Sequence, residues 1–155
     1  VPMSPVTFFG EVWVPSEEEL AQFANIDLPV MLTASGADLP FTYDSVNDRI
    51  LDALQGLVNQ MLSINEMPAI QTFDFEANPF SGFRADRLVT RTLNNEYINR
   101  TWYLEKDGVP LVALNLTEGL THALYPEYGK VFWDFVKHYS RDAATGEIVY
   151  DPYVS

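Results

Sequence analysis

The sequence predicts an α/β fold in which helices cover a mainly parallel sheet. Three observations carry this. Val30-Met31-Leu32 and Leu111-Val112-Ala113-Leu114 are apolar without alternation, the pattern of strands buried on both faces. Between Asp44 and Asn65, apolar residues recur at three- and four-residue steps, as on one face of a helix. Finally, the segments run in the order strand, helix, strand, hairpin strand, helix.

The elements follow in chain order. Residues 6–14, VTFFGEVWV, are aromatic and β-branched and read as a strand or an extended segment that Pro15 ends. SEEELAQFA then reads as a short helix, with Ser16 and Glu19 spaced as a capping box. The apolar run from Val30 to Leu32 leads into a small-residue turn, Ser35-Gly36-Ala37-Asp38. The clearest helix follows, capped by Asp44 or Ser45, with Val46, Ile50, Leu54, Leu57, Val58 and Met61 on its apolar face. Residues 67–88 have no period and contain two prolines, so they read as an ordered but irregular excursion. Tyr97 to Leu104 is strand-like, Asp107-Gly108 is a hairpin turn, and Val109 to Leu116 is the returning strand. PEYGKVFWDFVKHYSRD closes the fold as a helix, with Pro126 near its first position and Val131, Phe132, Phe135, Val136 and Tyr139 as its buried stripe. The end of the chain reads as a turn and a short extended segment.

Composition narrows the function. The 155 residues carry 9 Lys+Arg against 22 Asp+Glu, a net charge of -13. Such a surface repels phosphate backbones and offers no basic face to anionic lipid, which argues against nucleic acid and membrane partners. The absence of cysteine excludes disulfides, thiol nucleophiles and thiolate-bound metals. The two histidines sit on different elements, no glycine-rich phosphate loop exists, and DSVND lacks the glycine and glutamate of a calcium loop, so no metal or cofactor is expected. The start, VPMSPV, reads as the product of trimming or as a piece of something longer. Asn99-Arg100-Thr101 and Asn115-Leu116-Thr117 match the glycosylation sequon, but the second lies in a buried-looking strand and the first is a chance-level match.

In open α/β sheets, functional side chains stand just past the carboxyl ends of strands. Asp38 follows the strand ending near Leu32, and His122 follows the strand ending near Leu116 after Glu118-Gly119-Leu120-Thr121. Parallel strands would open both loops on one edge. There, a carboxylate beside an imidazole fixes its tautomer and stabilises the imidazolium formed in proton transfer. The bland alternatives are a turn-forming Asp and a structural His. His138, between Lys137 and Tyr139, reads as an exposed cation at a helix end.

LPVMLTASGADLPFTYDS and the stretch from Trp102 to Arg141 resemble the acid turn and the closing His loop, proline and aromatic helix of α/β-hydrolases in the polyhydroxybutyrate depolymerase, feruloyl esterase and acetylxylan esterase group. The resemblance covers most of the chain but only the back part of that domain. It implies the C-terminal portion of one α/β-hydrolase domain over residues 1–155, with the irregular insertion at about 67–88. It further implies a serine carboxylesterase in which His122 is the triad base and Asp38 the triad acid, with Asp44 in reserve because Leu39, not Pro, follows Asp38. Phe73, Phe80 and Phe83 would wall the acyl or sugar pocket, or else anchor their loop into the core. The substrate would be a carbohydrate-linked, feruloyl or acetyl ester; members of that group are commonly secreted, while the residues leave the compartment open. None of the eight serines lies in the G-x-S-x-G that this chemistry requires. The expected partner is therefore the N-terminal portion of the same enzyme, carrying the nucleophile and covering an apolar edge and face of a half sheet. The alternatives are an acidic module that binds a glycan or protein through exposed Trp13, Trp102 or tyrosines, and a degenerate hydrolase domain.

Overall fold

A computed structural model of the chain describes residues 16, 18, 21, 27–35, 43–44, 49–50, 52–74, 76–78, 82, 84–121 and 125–154. Strand β1 (Val30–Ser35) precedes two short strands, β2 (Tyr43–Asp44) and β3 (Arg49–Ile50), and helix α1 (Asp52–Ile64). Strands β4 (Arg87–Leu93), β5 (Tyr97–Lys106) and β6 (Val109–Thr117) follow, then helix α2 (Tyr128–Val136) and strands β7 (Tyr139–Arg141) and β8 (Ile148–Tyr150). β2 pairs with β3 and β7 with β8, both antiparallel.

The main sheet has the order β1-β6-β5-β4. Only β1 and β6 are parallel; β6–β5 and β5–β4 are antiparallel. This overturns the mainly parallel, α/β-hydrolase architecture expected from the sequence. The reason is local. Asp107 and Gly108 take φ of 53° and 81°, and Asn94 and Asn95 take 49° and 55°. These positive-φ turns close the gaps between β5 and β6 and between β4 and β5. A turn of two or three residues joins only antiparallel strands, whereas a parallel pair needs a long crossover. β1 is joined to β6 only by a long connection, through α1, the irregular stretch and then β4 and β5.

Helix α1 is shorter than its periodicity implies. Arg49 and Ile50 pair with Asp44 and Tyr43, so Asp44 does not cap a helix that begins at Asp52, and Ser45 lies outside the described residues. Leu54, Val58 and Leu62 recur at four-residue steps and are buried against Leu32, Trp102, Leu114 and Leu116 on one face of the sheet. Each such burial contributes about 1.5–3 kcal/mol, which outweighs the ~1 kcal/mol that Gly56 costs in the helix interior. The reciprocal bonds of Asn59 with the Ile70 backbone, 2.8 and 3.1 Å, tie the irregular stretch back to the helix.

The opposite face is covered by α2. Tyr128, Val131 and Phe135 pack on Met31, Tyr103 and Ala113. The Glu127 carboxylate accepts the Asn94 backbone N–H at 2.9 Å, fixing the start of α2 over the β4–β5 turn. Both faces of the sheet therefore carry a helix and a core of their own. Among the described residues, the uncovered apolar face expected of a half sheet is not found, and all six residues of β1 are buried.

Three smaller expectations are also corrected. Trp102, proposed as an exposed binding aromatic, is buried, 5% exposed. Trp133, which follows helical spacing with Phe132 and Phe135 and so reads as core, is 60% exposed, because it falls on the outer side of α2. The closing helix ends at Val136, and Tyr139–Arg141 turns into a strand paired with β8. Trp13 lies outside the described residues.

Candidate functional site at the carboxyl ends of the parallel strands

β1 and β6 pair from Val30↔Val112 through Ser35↔Thr117, so the two strands end side by side. The chain leaves Ser35 toward Asp38 and leaves Thr117 toward His122. Asp38 and His122 themselves, like Phe80 and Phe83, lie outside the described residues. What is described is the frame that carries them.

On the β6 side that frame is firmly held. The Glu118 N–H donates to the Ile98 carbonyl at 2.8 Å, and the Glu118 carboxylate pairs with Arg100. Gly119 then takes φ of 71°, a conformation that costs an L side chain about 1–2 kcal/mol. Leu120, 6% exposed, plugs into the core beneath α2. Past His122, Tyr125 is held edge-on between Tyr97 and Tyr128, at centroid distances of 5.4 and 6.3 Å. His122 thus sits two residues after one anchor and three before the next.

Below these strand ends, on the α2 face, lies a polar layer that the sequence did not reveal. Thr33, Ser35, Asn99, Thr101, Asn115 and Thr117 are all buried. The register places Thr33, Asn115 and Thr101 in one row across the sheet, and Ser35, Thr117 and Asn99 in the next. The amides of Asn99 and Asn115 donate to each other at 3.1 and 3.0 Å. Asn115 also donates to Thr101 at 2.7 Å, and Asn99 to Thr117 at 2.9 Å and to the Leu116 carbonyl at 3.2 Å. The Tyr128 hydroxyl donates to Thr117 at 2.8 Å. Burial pushes the Tyr128 phenol up, opposed by its hydrogen bonds with Thr117 and Ser35, so it stays a neutral donor. The Thr33 hydroxyl is the one buried side-chain polar atom without a hydrogen-bond partner among the described residues.

Buried polar groups cost free energy unless paired, and this layer pairs nearly all of them. It makes the strand ends rigid and polar. Both sequon asparagines belong to it and are 0% exposed, so neither can carry a glycan in the folded chain. The signal was present as spacing: Asn99-x-Thr101 and Asn115-x-Thr117 occupy every second position of their strands, with Arg100 and Leu116 on the other face.

The remaining candidates fall elsewhere. Phe73 is half-buried against the α1-side core, the place of a loop anchor, on the face away from the polar layer. Asp44 lies in β2. His138 is half-buried rather than exposed, and its Nδ1 lies 2.8 Å from the Asp151 carbonyl, so Nδ1 bears the proton. Among the described residues no cluster of three metal-ligating side chains occurs, and no helix is long and apolar enough to cross a membrane. No protein-family model matches the chain, and no curated protein is similar to it.

Proposed function

We propose that this chain supplies the base and the orienting acid for carboxyl-ester hydrolysis. His122 takes the proton from a serine hydroxyl as it attacks the ester carbonyl, then gives it to the leaving alcohol. Asp38 accepts a hydrogen bond from the imidazole and stabilises its cationic form. Water repeats the cycle to release the acid. The serine comes from the N-terminal portion of the same enzyme, and the substrate class is a carbohydrate-linked acetyl or aromatic ester.

What supports the reading is one observation: β1 and β6 are parallel neighbours, in register to Ser35 and Thr117, so the loops bearing Asp38 and His122 leave adjacent points of the sheet. It rests on that pair of strands, not on the arrangement of the whole sheet. The test is hydrolysis of p-nitrophenyl acetate by the complete assembly. His122→Ala should lose activity by several orders of magnitude with an unchanged circular dichroism spectrum. Retained activity would refute the role, as would an active preparation in which no chain bears a G-x-S-x-G serine.

A second reading, a self-standing acidic binding module, is favoured by a different observation: each face of the sheet has its own helix and core. Purification of the 155-residue chain alone discriminates. A monomeric, cooperatively unfolding protein favours the module, and a molten or aggregating one favours the hydrolase portion.

A further inference from the structure

On the α2 face, beside edge strand β4, lies a cleft of about 290 Å³. Its charge is opposite to that of the molecule. The chain as a whole has 9 Lys+Arg against 22 Asp+Glu, yet the cleft gathers Arg87, Arg91 and Lys137 with a single carboxylate, Asp134. A third of the chain's cations meeting one acid is not what an acidic surface produces by scatter.

The three cations differ in how far they are engaged. Arg87 lies 4.2 Å over the Tyr103 ring and 3.7 Å from Glu105. Lys137 is only 17% exposed, and its ammonium is 3.9 Å from Asp134, at the limit of an ion pair. Arg91 is half-buried, and among the described residues its one partner is the Thr101 hydroxyl at 3.3 Å. That bond uses one of five guanidinium N–H donors and brings no negative charge. Among the described residues Arg91 is therefore a positioned cation without a counter-charge, attached through Thr101 to the buried amide layer.

The remaining walls are aromatic and held in place. Tyr139 donates to the Pro110 carbonyl and stacks obliquely on Tyr150 with centroids 5.2 Å apart, while Phe135 meets Tyr139 edge-on at 5.3 Å. His138 packs on Tyr150 at 5.9 Å. With its Nδ1–H directed to the Asp151 carbonyl, Nε2 is the nitrogen left to meet a ligand. A guanidinium fork recognises a carboxylate by paired hydrogen bonds, and tyrosine rings accept a flat ring by offset or edge contact. The volume suits a ligand at the small end of the usual range.

We propose that this cleft is a binding site for a small aromatic carboxylate, its carboxylate on Arg91 with Lys137 nearby and its ring against Tyr139 and Tyr150. The assignment is independent of the hydrolytic reading, since it involves neither Asp38 nor His122. Isothermal titration calorimetry of the complete polypeptide with sodium benzoate, benzamide and inorganic phosphate tests it. Benzoate should bind, and benzamide, of the same shape without the charge, should bind about tenfold more weakly or worse, the loss of one charge-assisted contact. Phosphate, charged without the ring, should also be weaker than benzoate. Arg91→Gln should weaken benzoate by a similar factor, while Arg84→Gln, an exposed cation outside the cleft, should leave it unchanged. Equal binding of benzoate and benzamide, equal binding of benzoate and phosphate, no benzoate binding at millimolar concentration, or an effect of Arg84→Gln matching that of Arg91→Gln would each overturn the assignment. The comparison of three ligands on the unmutated protein needs no variant to fold.

Discussion

Asn115→Ala should be among the most damaging single substitutions on the α2 face. Asn115 is 0% exposed and takes part in three side-chain hydrogen bonds: donors to Asn99 and Thr101, and an acceptor from Asn99. Truncation leaves the Asn99 side-chain oxygen without its buried partner and removes one of two donors from the Thr101 hydroxyl, which keeps Arg91, while Asn99 keeps its bonds to the Leu116 carbonyl and Thr117. At about 1–3 kcal/mol for the orphaned oxygen, ~1 kcal/mol for the lost bond to Thr101 and ~1 kcal/mol for a small cavity, the loss should be about 3–5 kcal/mol. Asn99→Ala should cost a similar amount. Because the two share their bonds, Asn99→Ala combined with Asn115→Ala should cost at least ~1 kcal/mol less than the sum of the single losses. Urea unfolding followed by circular dichroism reads all three. A loss under about 1 kcal/mol for Asn115→Ala, or strict additivity, would refute the view that the layer is a cooperative dry network.

Two further expectations follow. Gly56 and Gly119 both have open space where a Cβ would go, but only Gly119 has positive φ, so Gly56→Ala should stabilise by about 1 kcal/mol and Gly119→Ala destabilise by about 1–2 kcal/mol in the same urea assay. Burial pushes the phenols of Tyr128 and Tyr139 up, so in the folded chain they remain neutral at a pH where the unfolded chain, near about 10, ionises them. Their contribution is complete below that pH and is lost as pH rises above it. The urea midpoint should therefore fall between pH 9 and about 11, less so in Tyr139→Phe.

Several elements were legible in the residues, and others were hidden for physical reasons. β1 and β6 announce themselves as unbroken apolar runs because both faces are covered, and Asp107-Gly108 announces its turn because few residues tolerate positive φ. That same turn already required an antiparallel β5–β6 pair, so the parallel reading erred by giving the apolar runs more weight than the hairpin. β4 was missed because Arg87 and Arg91 on one face and Thr90 and Thr92 on the other break the apolar pattern of an edge strand, and because Asn94-Asn95 is a less familiar positive-φ pair than Asp-Gly. The early start assigned to α1 shows the limit of periodicity: Val46 and Ile50 continue the helical spacing, yet backbone pairing of Tyr43–Asp44 with Arg49–Ile50 takes the segment. At the candidate site, sequence placed Asp38 and His122 after strands that do end together. It did not show the amide layer beneath them or the cationic cleft, since both are assembled from residues far apart in the chain.

In the proposed function, Asp38 and His122 act as one unit in the loops that follow β1 and β6. Ester hydrolysis by the complete assembly, compared among Asp38→Ala, His122→Ala and the two combined, tests it most directly. Residues acting as a unit are strongly non-additive, so the double variant should be no slower than His122→Ala alone. Losses that multiply, or an Asp38→Ala variant with unchanged activity, would contradict the account.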